Sequence, residues 1–288
     1  MKISEIAAID VHAHYGVYLG PGLNHRFMSA PASGVVARAR ACGVERTIAS
    51  PLLGLMPRGQ ADAVAGNAAA FREIPAQPGL LQHVIINPLQ PETYNQARTM
   101  LRSPWCVGIK IHSEEHRYRI SEHGDKLFDF FEEVGAPVMA HSGCPNSLPA
   151  DFVPFADRHP KVSLLLAHLG NGAGDLPDHR PDRQVRAIQA AKHGNLWVDT
   201  SSSQSILPGL IEWAVAEIGA ERLLFGSDSP LYHVAMQRTR IEAAEIPESA
   251  KRLILRENAL KFSASRTRPA YAFRIAPGLL PFQRILKL

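Results

Sequence analysis

The chain has 288 residues, of which 45% are hydrophobic and 20% charged, so it is long enough for one large domain with a sizeable core. This composition excludes collagen-like, coiled-coil and disordered proteins, and no apolar run approaches the roughly 18 residues that span a bilayer. Three cysteines without a CxxC pair, Cys42, Cys106 and Cys144, predict a reduced protein without a disulfide framework. We therefore expect a cytoplasmic protein.

The net charge of +4 is concentrated at the end of the chain. Residues 263–288 contain five basic residues and no acidic one, and subtracting these five from +4 leaves −1 for residues 1–262. A main domain so close to neutrality lacks the basic surface that nucleic acid requires. We expect a small-molecule substrate, and neither a nucleic-acid nor a membrane partner.

Eight short apolar or β-branched runs alternate with stretches whose apolar residues repeat at helical spacing. The runs cover residues 6–14, 44–50, 80–88, 105–112, 136–143, 161–170, 195–201 and 221–230, and the helix-like stretches include 123–135, 206–219 and 248–262. Alternating strands and helices predict parallel βα units. Eight such units match a (β/α)₈ TIM barrel, which typically has about 250 residues.

We therefore predict one barrel domain over residues 1–262 and an extension over residues 263–288. The extension is basic and apolar. Terminal segments usually pack loosely on their own domain. We expect this one to pack on the barrel or, alternatively, to form a contact with a second subunit.

The first predicted strand carries the first candidate ligands. Side chains alternate along a strand, which assigns Asp10, His12 and His14 to one face and Ile9 and Val11 to the other. In TIM barrels the active site lies at the carboxyl ends of the strands. Two histidines spaced two apart at such an end can bind one ion together.

Three later strands also end in candidate ligands. The fifth run ends in His141, the sixth in His168 and the eighth in Asp228. Each alone is commonly a hydrogen-bonded or helix-capping residue. Histidine nitrogens and a carboxylate gathered at one barrel mouth suit a divalent metal with a position open for water. Their joint placement predicts a metal centre.

The motifs IDVHAH, MAHSG, LLLAHLG and LLFGSDSP, in this order, resemble the amidohydrolase superfamily. GIKIH and RENALKF are most similar to its amidohydrolase-related branch (amidohydrolase 2), which contains hydrolases, lactonases and non-oxidative decarboxylases. The resemblance implies that His12, His14, His141 and Asp228 hold one divalent metal ion, most commonly Zn²⁺ with Mn²⁺ as the alternative. It also implies that Asp228 and His168 are catalytic.

Six further residues are expected to contact the substrate because they end strands or follow the fourth strand in a loop. They are Asn87, Lys110, His112, Tyr118, Arg119 and Thr200. In some members of the superfamily a lysine at the end of strand four is carboxylated and bridges two metals. The resemblance to the amidohydrolase-related branch, where a lysine in a GxKxH context is generally not carboxylated, implies one metal ion and an uncarboxylated Lys110 that stabilises the site or pairs with a substrate carboxylate. A strand-end lysine paired with an internal acid is an equal alternative.

The sequence predicts a hydrolase in which metal-bound hydroxide attacks an amide, ester or lactone carbonyl of a small, carboxylated molecule. Asp228 would accept the proton of the water, and His168 would donate to the carbonyl oxygen. A decarboxylase of an aromatic or unsaturated acid is the alternative, for which Tyr118 and nearby arginines are available. A TatD-type nuclease is disfavoured because Lys110 stands at its glutamate position, and a non-catalytic barrel because the ligands lie at a mouth.

Overall fold

Eight parallel strands form one sheet in which each strand pairs with the next along the chain. The computed structural model describes residues 5–172, 180–202 and 204–264. The strands are β1 (Ala8–Tyr15), β2 (Val44–Pro51), β3 (Leu80–Ile85), β4 (Cys106–Ile111), β5 (Val138–Ala140), β6 (Leu164–Leu166), β7 (Leu196–Asp199) and β8 (Leu223–Leu224). Main-chain hydrogen bonds from Val11 to Phe225 and from His14 to Ser229 join β1 to the residues after β8. The predicted TIM barrel is confirmed.

Helices connect successive strands around the barrel. They are α1 (Asn24–Met28), α2 (Ala32–Ala41), α3 (Ala63–Glu73), α4 (Glu92–Met100), α5 (Ser113–His116), α6 (Ile120–Val134), α7 (Pro149–Arg158), α8 (Arg183–Ala190), α9 (Leu210–Ile218), α10 (Val234–Ala243), α11 (Glu248–Arg252) and α12 (Asn258–Ala264). The strands from β5 onward are shorter than their predicted runs, and the candidate ligands His141, His168 and Asp228 follow the last paired residues of β5, β6 and β8 and line the barrel mouth.

One apolar cluster fills the barrel interior and draws a residue from every strand. Its members are Ile9, Val11, Ile48, Leu81, Val107, Met139, Leu165, Leu224, Ala259 and Phe262, with Trp197 packed against them. The register of β1 shifts between Asp10 and Ala13, as at a β-bulge. Because of this shift Val11 and His12, although adjacent in sequence, both face the interior. The prediction that Val11 lies on the opposite face from the histidines is therefore wrong.

The closing helix is hydrogen-bonded to the last strand. A π-helical turn (Leu253–Glu257) separates α11 from α12, and one of its carbonyls accepts from the main-chain N–H of Phe225. The amide of Asn258 donates to the carbonyls of Ala220 at 2.7 Å and Leu223 at 2.8 Å, on both sides of the start of β8. The RENALKF segment thus fixes the strand that leads to the candidate ligand at the end of the eighth run.

The predicted C-terminal extension lies outside the described residues from position 265 onward. Its expected contacts with the barrel or with a second subunit stay predictions. Among the described residues, no helix combines the length and the apolar character that crossing a membrane requires.

Candidate active site

A cavity of about 200 Å³ lies at the carboxyl ends of the strands. Seven of the predicted site residues line it: His12, His14, Lys110, His112, His141, His168 and Asp228. They come from β1, from the end of the fourth run and from the ends of the fifth, sixth and eighth runs. The barrel therefore brings together residues that are far apart in the sequence.

Three of these residues form a compact group of potential metal ligands. One carboxylate oxygen of Asp228 lies 3.0 Å from Nε2 of His14 and 3.5 Å from Nε2 of His12. All three side chains are buried, and one ligand atom from each lies within 4.8 Å of the others. Two imidazole nitrogens and a carboxylate oxygen are donors that Zn²⁺ and related divalent ions accept. The group fits a divalent metal ion.

Residues of β1 fix the main chain of Asp228 and favour the ionised form of its carboxyl group. Asp228 has a left-handed φ of 55°, and its N–H donates to the His12 carbonyl at 2.7 Å. Burial by itself would raise the pKa of this carboxyl group, but the neighbouring His12 and His14 outweigh burial and lower the pKa below its ordinary value. Asp228 is therefore an ionised carboxylate at neutral pH.

His141 lies at the cavity but outside this group of three. Its Nδ1 is 3.1 Å from Nε2 of His168, its Nε2 is 3.1 Å from Sγ of Cys144, and its ring stacks on His112 at 4.0 Å. Burial raises the pKa of the Cys144 thiol to about 11, so this residue is a neutral thiol in the cavity wall. The prediction that His141 is a metal ligand stays a proposal.

Lys110, on β4, contacts one of these candidate ligands, His12. It is 1% exposed, and its Nζ lies 2.9 Å from Nε2 of His12. Burial lowers the pKa of Lys110 to about 8, although the negative charges of Asp228 and Asp199 favour the protonated form. The ammonium group thus occupies the neighbourhood of the candidate metal ligands.

Two residues at the end of the seventh run contact the histidines, and one of them, Asp199, was missed by the sequence analysis. The Asp199 carboxylate lies 2.9 Å from Nδ1 of His12, and the Ser201 hydroxyl lies 2.8 Å from Nδ1 of His168. Asp199 ends an apolar strand, which is the same signal that identified Asp228 in the sequence. Ser201 ends the same run, which is a weak signal for a substrate contact because serines are common at strand ends.

The cavity rim contains an ion-pair cluster that the sequence analysis also missed. Nη1 of Arg58 lies 3.2 Å from Glu114, and its Nε lies 3.3 Å from Glu115. Arg58 lies in the loop after β2, and both glutamates lie in α5 after β4. An irregular loop has no periodicity from which its path can be predicted.

Four of the predicted substrate contacts do not line the cavity. Tyr118 is 3% exposed and packs in the apolar core between strands and helices, and Arg119 is exposed before α6. Asn87 accepts a hydrogen bond from Leu89 within its own loop, and the Thr200 hydroxyl faces the main chain after β8. The structure therefore leaves only Lys110 and His112 of the six at the cavity.

Comparisons with solved structures show the same barrel. The chain is similar to 2,6-dihydroxybenzoate decarboxylase from Rhizobium, with 17% identity, a TM-score of 0.69 and coverage of 91% of this chain and 99% of the other. It is also similar to a dihydroxybenzoic acid decarboxylase from Polaromonas sp. JS666 with bound manganese, at 16% identity, a TM-score of 0.67 and coverage of 94% and 99%. A putative 2-pyrone-4,6-dicarboxylic acid hydrolase from Pseudomonas putida gives 18% identity, a TM-score of 0.60 and coverage of 91% and 99%.

The sequence itself identifies the family. No curated protein matches the chain significantly. The family model described as amidohydrolase matches residues 9–262, which is nearly the whole barrel and includes all the candidate ligands. The chain therefore belongs to the amidohydrolase family and is an enzyme of the amidohydrolase superfamily.

Proposed function

We propose that this enzyme is a metal-dependent hydrolase that cleaves an amide, ester or lactone bond of a small molecule. The observation that carries the proposal is the buried group of His12, His14 and an ionised Asp228 at the wall of a small cavity. A divalent ion held by these residues, Zn²⁺ in the first place and Mn²⁺ as the alternative, would lower the pKa of water to about 7.

Asp228 is the proposed proton acceptor. Its carboxylate is ionised and lies against His12 and His14, so it would adjoin a water held by the same group. An ionised carboxylate can take a proton from an attacking water and return it to the leaving group. A group that must deliver a proton to carbon would instead need a raised pKa.

The histidines beside this group supply uncharged nitrogens at the cavity, and His141 is proposed as a further metal ligand. Burial lowers the pKa of His112, His141 and His168, so each is an uncharged imidazole at neutral pH. The His112 ring is fixed by stacking on His141 and by accepting the N–H of Glu115. A rigid polar wall of this kind orients a carbonyl substrate with little loss of side-chain entropy.

The second candidate is decarboxylation of an aromatic or unsaturated acid. Arg58 at the cavity rim is a cation that can bind a carboxylate, and the chain shares its fold with two decarboxylases. An aromatic substrate would need apolar or aromatic walls. Tyr118 does not line the cavity, whose apolar and aromatic lining is limited to Met56, Leu231 and Tyr232 beside the histidines and charged residues. The polar lining favours hydrolysis.

The test begins with metal content. The protein, purified without added metal, is analysed by plasma mass spectrometry beside the double variant His12→Ala, His14→Ala and the control His25→Ala, whose histidine is exposed on α1. We expect about one equivalent of divalent metal in the wild type and in the control, and loss in the double variant. Absence of stoichiometric metal after incubation with Zn²⁺ would overturn the proposal.

The second part of the test separates the two reactions. A panel of lactones, esters, amides and aromatic acids is assayed with parallel detection of acid release and of carbon dioxide. We expect hydrolysis that Asp228→Asn reduces by about 10³-fold or more, since the proton acceptor and an anionic ligand are both lost. Carbon dioxide release with no hydrolysis would support the decarboxylase instead.

A further inference from the structure

One buried carboxylate at the end of β7 accepts hydrogen bonds from several directions. Oδ1 of Asp199 accepts the N–H of His168 at 3.1 Å, the N–H of Ser201 at 2.9 Å and the hydroxyl of Ser201 at 2.5 Å. Oδ2 of the same residue lies 2.9 Å from Nδ1 of His12. Asp199 and Ser201 are both 0% exposed. The carboxylate therefore has N–H and O–H partners on both oxygens.

These contacts fix where the protons lie. The Ser201 hydroxyl proton is directed at Asp199, so Oγ of Ser201 is left to accept. Nδ1 of His168, 2.8 Å from that oxygen, must then carry the proton and donate it. Nδ1 of His12 faces two acceptors, Oδ2 of Asp199 at 2.9 Å and Oγ of Ser201 at 3.1 Å, and must likewise donate. Nε2 of His12 lies 2.9 Å from the Lys110 ammonium, which can only donate, and Nε2 of His168 lies 3.1 Å from Nδ1 of His141, so both Nε2 atoms are placed to accept.

We infer that Asp199 and Ser201 are positioning residues that fix the tautomers of His12 and His168, so that Nε2 of both rings is unprotonated and Nε2 of His168 accepts the N–H of His141. His168 is then a nitrogen ligand or a proton acceptor. This reverses the role expected from the sequence, in which His168 donates a hydrogen bond to the substrate carbonyl. The inference rests on the metal-binding part of the proposed function, but the proton positions can be measured without any substrate.

The conformation of His168 supports this assignment. Its φ of 74° lies in the left-handed region, which costs a non-glycine residue of order 1 kcal/mol or more. Asp199 holds the main chain of His168 directly and holds its ring through Ser201. The same carboxylate thus stabilises a strained backbone and a single ring orientation.

Asp199 is not itself the proposed metal ligand. Ligand atoms of His12, His168 and Asp199 also lie within 4.8 Å of one another. However, both oxygens of Asp199 already have N–H or O–H partners, whereas Nε2 of His12 is directed towards Asp228 and Lys110. A carboxylate that orients a ligating histidine through its second nitrogen typically affects metal affinity by 10–100-fold.

The first test measures the tautomers by long-range ¹H–¹⁵N NMR on metal-free protein with ¹⁵N-labelled histidine. Signals are assigned with His12→Gln and His168→Gln. We expect a protonated Nδ1 and an unprotonated Nε2 for both rings. In Ser201→Ala the proton of the His168 ring should move from Nδ1 in part of the molecules, whereas Ser201→Thr, which keeps the hydroxyl, should resemble the wild type. A protonated Nε2 on His168 in the wild type would overturn the inference.

The second test measures Zn²⁺ affinity by competition with a chromophoric chelator. We expect about 10–100-fold weaker binding in Asp199→Asn, because the amide places an N–H where His12 needs an acceptor. If Asp199→Asn does not fold, the Zn²⁺ affinities of Ser201→Ala and Ser201→Thr are compared instead, and we expect the weaker binding in Ser201→Ala. Unchanged affinity in a folded Asp199→Asn variant would refute the positioning role. Loss of every hydrolytic activity with the expected tautomers present would refute only the proposed function.

Discussion

Nζ of Lys110 lies 2.9 Å from Nε2 of His12, the nitrogen that we assign to the metal ion. The two residues project from β4 and β1 into the barrel mouth and are both fully buried. An ammonium group in this place contacts the same lone pair that a divalent cation would use. Lys110 and the metal ion therefore compete for one nitrogen.

Replacing Lys110 with methionine tests this competition. Removing a positive charge close to the ion lowers the repulsion by at least about 1 kcal/mol, so we expect Zn²⁺ to bind at least about fivefold more tightly to Lys110→Met. Wild type and variant should each hold about one equivalent of metal. Chelator competition and plasma mass spectrometry measure the two quantities. Two equivalents in the wild type and fewer in the variant would instead support a carboxylated, bridging Lys110.

Arg58 is the guanidinium at the cavity rim. Glu114 and Glu115 hold its Nη1 and Nε, which leaves Nη2 to bind an anionic substrate group. If the substrate carries a carboxylate, Arg58→Met should raise KM by about tenfold, since a charge-assisted hydrogen bond contributes roughly 1.5–3 kcal/mol. Steady-state kinetics on an acid and on its neutral methyl ester separate the effect. Arg102→Met, at an exposed position, is the matched control.

An equal loss on the acid and on the neutral ester would show that Arg58 acts on the loop rather than on the substrate. The loop has other contacts that hold it in place. The N–H of Gly59 donates to the Glu115 carbonyl at 2.8 Å, and Nε2 of His116 bonds to the Gly54 carbonyl at 2.9 Å. We therefore expect the stability of Arg58→Met to change by less than about 1 kcal/mol, as for other partly exposed ion pairs.

The residues that could be predicted from the sequence share one local signal. His12, His14, His168 and Asp228 each end an apolar run, and in a parallel barrel all such ends meet at one mouth. The prediction of faces from the alternation of side chains failed in β1 where the register shifts. A bulge depends on the pairing of β1 with β2, which a two-residue period in one sequence does not reveal.

The substrate contacts were harder to predict because loops have no period. The segment after β4 was treated as an open loop, but it forms α5, and this turn directs Tyr118 into the apolar core. Arg58, 57 positions before Glu115, meets it only because β2 and β4 lie near each other in the barrel. Contacts of this kind depend on the path of two loops, which one sequence does not contain.

The buried His116 makes the fold sensitive to acid. Burial lowers the pKa of His116 to about 4 from an ordinary value of 6.5, with a hydrogen bond to the Gly54 carbonyl acting in the opposite direction. Between these two values the unfolded chain binds the proton and the folded one does not. The contribution of His116 to the free energy of unfolding is therefore fully present above pH 6.5 and is lost as the pH falls towards 4. The difference corresponds to about 3 kcal/mol.

We expect His116→Gln to show a flatter decline of unfolding free energy between pH 6.5 and 4 than the wild type. Urea unfolding of metal-free protein at several pH values measures this slope. His25→Gln, with an exposed histidine, should follow the wild type. Equal slopes for His116→Gln and the wild type would contradict the assignment of this acid sensitivity to His116.

Asn258 joins the closing helix to the last strand, and its removal should destabilise the barrel. In Asn258→Ala the carbonyls of Ala220 and Leu223 lose a buried donor, which costs about 2–4 kcal/mol for the two groups together. Urea unfolding measures the change, and Asn95→Ala, on the exposed face of α4, should alter it by less than about 0.5 kcal/mol. Because β8 leads to Asp228, partial loss of Zn²⁺ affinity should accompany the loss of stability. A variant as stable as the wild type would show that the π-helical turn, which bonds Phe225 from the same helix, is sufficient to hold β8.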